Sequence, residues 1–117
     1  MSMGLAMAVM LAQAPTAAAQ DVAYDALAAG NNRAAVARLE RTHDDDPARL
    51  INLGVALARQ GDTARARAIF ARAAAAEDRV DLETATGAWI DSRTLALRAI
   101  AAIDRGRLAG ETRTAMR

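Results

Sequence analysis

Two apolar stripes at helical spacing, joined by a connection too short for anything but a reversal, constrain this chain more than any other feature. Leu50, Leu53, Gly54 and Leu57 recur at steps of three and four, the period of one face of an α-helix. Ala66, Ile69, Phe70 and Ala73 make a second stripe of the same kind. Between them, Gly61 suits the left-handed position that ends a helix, and Asp62 can accept the first free amides of the next one. Asp46 is placed to cap the first helix, with Pro47 at its opening position. The spacing predicts two antiparallel helices within residues 47–76. Their backbones should approach closely at Gly54 and Ala66, with Phe70 filling the space beside them.

A fainter copy lies 31 residues upstream, where Gly30 aligns with Gly61, Ala35 with Ala66, Leu39 with Phe70 and Ala26 with Leu57. It predicts a helix from Asp21 to Ala29 and another from Asn32 to Thr42, with Asn31 or Asn32 as the cap. Downstream the period changes. Val80, Leu82 and Thr84 alternate with Asp81 and Glu83, and Thr86-Gly87 signals a turn before Trp89-Ile90. A short β-hairpin or an extended loop is expected over 79–91. A helix capped by Ser92 should follow, with Leu95, Ala99, Ala102 and Ile103 on its apolar face and Gly106 at its end. Hairpin and helix together would cover the open face of the second pair, with Trp89 as the largest plug. Residues 107–117 have little periodicity and should fray.

The run NLGVALARQGDTARARAIFARAAAA, with Leu50 before it, resembles a tetratricopeptide repeat, a helix–turn–helix unit of 34 residues. Leu50 stands where the family prefers Trp, Leu53-Gly54 matches its Leu-Gly pair, and Leu57 takes its aromatic position. Ala66, Phe70 and Ala73 match the second helix. The resemblance implies an all-α fold of antiparallel helical hairpins, a fragment of an α-solenoid. Its repeats would cover 21–46 and 47–78, with a capping unit over 79–106. It also implies non-catalytic binding of a protein or peptide segment on the groove of the first helices, lined here by Tyr24, Ile51, Asn52, Val55 and Arg59. Some members grip a C-terminal carboxylate with Lys, Arg and Asn from three repeats. The corresponding positions near Gln20 and Tyr24 are not basic, so the resemblance does not extend to that clamp. Two repeats leave an apolar face that the capping unit, or a second copy in a homodimer, must cover.

Residues 1–20 carry no charged side chain, and Met3–Ala12 is apolar apart from one Gly. As a helix that run reaches about 15 Å, half the core of a bilayer. With Pro15 and the small residues Ala17 and Ala19 after it, the pattern predicts a secretory leader over 1–19, cleaved after Ala19. The protein would then be periplasmic or secreted, with no stable membrane span. The competing readings are a retained leader that tethers the chain and a first helix that packs on the domain. The 15 basic residues are all Arg and 33 residues are Ala, a bias of GC-rich bacterial coding rather than of function.

Chemistry-bearing residues are few. With no Cys, a disulfide framework and a thiolate metal site are excluded; the single His, His43, sits in a polar loop and no Ser-His-Asp arrangement is evident, so no enzyme activity, cofactor or metal is expected. His43-Asp44-Asp45-Asp46 reads as an exposed loop, since consecutive loop residues cannot all face one cation. Trp89 and Arg93 form either a recognition patch, both types being favoured interface anchors, or a core Trp beside an ordinary helix start. Charge is divided along the chain: residues 20–48 hold 3 Arg against 6 acids, and residues 49–117 hold 12 Arg against 8 acids. That split suits an acidic partner, a head-to-tail contact or simply solvated helix faces. Nucleic acid is not expected, because aromatic stacking residues are too few.

Overall fold

A computed structural model describes residues 10–11, 23–84 and 86–106. In chain order the elements are strand β1 (Met10–Leu11), helices α1 (Tyr24–Ala28), α2 (Asn32–Leu39), α3 (Pro47–Arg59) and α4 (Thr63–Ala75), strands β2 (Asp81–Thr84) and β3 (Trp89–Asp91), and helix α5 (Ser92–Asp104). The described residues are mostly helical, with a small antiparallel hairpin, β2–β3, to whose β2 edge the two-residue β1 is added. Of the expected leader, Met10 and Leu11 pair with Thr84 and Glu83, and the rest of 1–19 lies outside the described residues. The expected frayed tail, 107–117, also lies outside them.

Helices α3 and α4 are the two antiparallel rods that the stripes predict. The Asp46 carboxylate accepts the Arg49 amide at 3.3 Å, Pro47 opens α3, and the Asp62 carboxylate accepts the Arg65 amide at 3.2 Å. The turn between them is fully hydrogen-bonded: the Gly61 amide reaches the Ala58 carbonyl at 2.9 Å and the Asp62 amide the Leu57 carbonyl at 2.9 Å. Gly61 takes φ +89°, where any side chain would be strained. The upstream pair ends its first helix in the same way, with Gly30 bonded to Leu27 and Asn31 to Ala26, and Asn31 then caps α2.

Helix α2 ends at Leu39, short of the expected Thr42. The reason lies in α3. The buried Arg49 sends Nη1 to the Leu39 carbonyl at 2.8 Å, Nε to Asp44 Oδ1 at 2.8 Å, and Nη2 to the Asp44 carbonyl. This guanidinium supplies donors to the end of α2 and to the loop after it, so the loop folds over the start of α3 rather than continuing the helix.

Every residue of α3 from Pro47 to Ala58 is buried. A helix apolar on nearly all sides belongs in the middle, and α3 packs against α2, α4 and α5 at once. Its closest approach is to α4. A Cβ built on Gly54 would lie 2.6–2.9 Å from three ring atoms of Phe70, distances real Cβ atoms do not reach. The ring therefore rests on bare backbone. Phe70, Leu39, Leu50 and Leu57 are the largest side chains sealed from solvent in this core.

The capping unit is a hairpin, not a loop. Leu82 sits opposite Ile90, Glu83 opposite Trp89 and Asp81 opposite Asp91, with the turn closed by the Gly87 amide on the Thr84 carbonyl at 2.9 Å. Two expectations are corrected. Asp91, not Ser92, caps α5: its carboxylate accepts the Thr94 amide at 3.1 Å. The Ser92 hydroxyl instead accepts the Val80 amide at 3.1 Å, while the Ser92 amide bonds the Val80 carbonyl, fastening the two ends of the hairpin. Nor is Trp89 a plug. It is 58% exposed, and Leu82 and Leu95 do the covering.

Gly54→Ala tests the central contact by its sign. Helix propensity alone favours Ala by about 1 kcal/mol, whereas overpacking against Phe70 should cost about 1–3 kcal/mol. Thermal melts should show a net loss. In a Phe70→Leu background, where the ring is gone, the same change should become neutral or stabilising.

Candidate protein-binding surface

Of the five residues expected to line a partner groove, Ile51, Asn52, Val55 and Arg59 sit on α3. Ile51 is 2% exposed, Asn52 0% and Val55 1%, so these three belong to the packed interior around α3. Tyr24 is the first residue of α1. Arg59 is half-buried. Its Nη1 donates to the Leu27 carbonyl at 3.0 Å and to Asn32 Oδ1 at 3.4 Å, joining the end of α3 to the turn between α1 and α2. Burial lowers its pKa from the usual guanidinium range.

The second expected patch comes apart. Arg93 Nη2 donates to the Ala76 carbonyl at 3.1 Å, which ties the first turn of α5 to the end of α4. Trp89 alone faces solvent. Strand alternation explains why: Leu82 and Ile90 share the inner face of the hairpin, so their neighbours Glu83 and Trp89 must share the outer one. Besides Trp89, Leu97 is the other large apolar side chain exposed among the described residues.

The divided charge is used inside the chain. Arg49 pairs with Asp44 at 2.8 Å, Arg65 with Glu40 at 2.6 Å and Arg72 with Asp45 at 2.6 Å, all joining the basic second hairpin to the acidic segment before it. Arg67 holds both oxygens of Asp104, linking α4 to α5. The Arg49 guanidinium lowers the Asp44 pKa, and Arg67 does the same for Asp104. The His43–Asp46 loop is exposed, as expected, with Asp46 as a cap and Asp44 and Asp45 in ion pairs. Among the described residues no group of three or more His, Cys, Asp or Glu is placed to hold a metal ion. No described helix is long and apolar enough to cross a membrane.

Asp91 carries the most shifted carboxyl of the surface. Arg79 grips both of its oxygens, at 2.9 and 2.7 Å, and the Thr94 amide adds a third bond. Chiefly through Arg79, its pKa falls from 3.8 to about 2. One carboxylate thereby closes the base of the hairpin and starts α5. No protein-family model, curated protein or solved structure matches the chain.

A carboxyl whose pKa is depressed in the folded state contributes stability above its unfolded pKa and loses it as the pH falls through the folded one. Urea midpoints should therefore drop as pH is lowered from 3.8 toward about 2. Asp91→Asn keeps an N-cap but not the ion pair, and its midpoint should fall less across that window.

Proposed function

We propose that this chain is a non-catalytic protein-interaction module of tetratricopeptide type, exported after removal of residues 1–19 and binding a segment of another protein. The observation that supports it is the 58% exposure of Trp89 on a strand whose neighbours are ordered by the hairpin and by α5. An indole left in water beside a well-formed core has a large apolar area still to bury, and Trp is the residue type most enriched among interface anchors. The groove of the first helices fits this reading less directly. Ile51, Asn52 and Val55 are covered in the uncleaved chain, in which β1 packs against α3, whereas Trp89 is accessible already.

Crosslinking in cells with partner identification tests the proposal. The wild-type chain should capture at least one partner that Trp89→Ala loses, with far-UV circular dichroism unchanged. An identical set of partners for both chains would remove Trp89 as the contact.

A further inference from the structure

The outer face of the hairpin carries more than an indole. The register places Asp81, Glu83, Trp89 and Asp91 on that face, with Glu83 directly across the ladder from Trp89. Side chains so paired have Cβ atoms about 4.5–5.5 Å apart. Glu83 is thus the direct cross-strand neighbour of the exposed ring, and Asp81 and Asp91 form the next pair along the same face. The one guanidinium bonded to them is Arg79, held on both oxygens of Asp91 and also acting on Asp81 across space. Among the described residues Glu83, beside the ring, has no hydrogen-bond or ion-pair partner. At the foot of the hairpin Val80, which leads into β2, lines a cleft of about 590 Å³ with Glu77, Asp78 and the loop 44–46, whose Asp44 and Asp45 are paired with Arg49 and Arg72.

An indole face attracts a cation through its ring quadrupole, and a carboxylate at the ring edge adds a second attraction to the same cation. The carboxylates repel phosphate and other anions, so the face discriminates by charge as well as by shape. We propose that the outer face of the β2–β3 hairpin docks an extended, cationic segment of a partner protein, with a Lys or Arg side chain over Trp89 and against Glu83. A pleated segment repeats side chains on one face every second residue, so a second cation two positions along would meet Asp81. This inference rests on the protein-binding reading and names the chemistry of the partner.

Trp89 is the single Trp of the chain, so its emission reports on this face alone. The full chain is titrated with an acetylated, amidated peptide alternating lysine and threonine, and with serine–threonine and glutamate–threonine controls. The lysine peptide should give a saturable emission change that weakens as salt is raised. Glu83→Lys should weaken it at least about tenfold, and the near-isosteric Glu83→Gln about threefold, with helicity unchanged in both. No response to the lysine peptide, or an equal response to either control, overturns cation recognition. If the serine–threonine peptide binds equally well, the protein-binding reading stands without its cationic partner. If nothing perturbs Trp89 and Trp89→Ala also leaves the cellular crosslinks unchanged, that reading falls too. Emission that shifts when the protein alone is diluted assigns the face to a second copy and overturns the proposal.

Discussion

The fold turns on the missing side chain at Gly54. Because α3 offers bare backbone there, the Phe70 ring lies against it and α4 comes close at that point. Close packing of one face frees the others. With α4 drawn in on one side, α3 still has apolar residues left over, and these receive α2 and α5. A larger residue at that one point would separate the helices and loosen each neighbour that reads its position from α3.

Electrostatics plays a second, orienting part. Surface ion pairs contribute little stability each, and the ones here are largely of that kind. What they add is direction. Glu40, Asp44 and Asp45 each find an Arg on α3 or α4, so the acidic segment after α2 fits the basic pair in one orientation. Arg49 goes further, since it is buried and its three bonds define where α2 stops. A split of charge that looks, in sequence, like an invitation to an outside partner is here used between neighbouring parts of one chain.

The helical pairs were legible because their signals are local. Caps at Asp46, Asp62 and Asn31, and turns at Gly30 and Gly61, depend on residues within one helical turn. What the sequence hid was long-range. Ile51 and Val55, which the resemblance places at a groove, are buried together with Ala48 and Ala58 on a helix apolar on nearly all sides, the pattern of a central helix. The size and apolarity of Trp89 leave both a plug and a surface anchor open, and its place next to the inward Ile90 decides for the outside. Ser92 was read as a cap because Ser and Asp score alike at that position; which of two adjacent residues serves depends on how the strand enters the helix.

Strand β3 ends at Asp91 and α5 begins at Ser92, with no linker between them. Asp91 belongs to both elements, and Ser92 fastens both back to Val80. The orientation of the hairpin is therefore tied to that of α5, whose other end is held to α4 by Arg67 on both oxygens of Asp104.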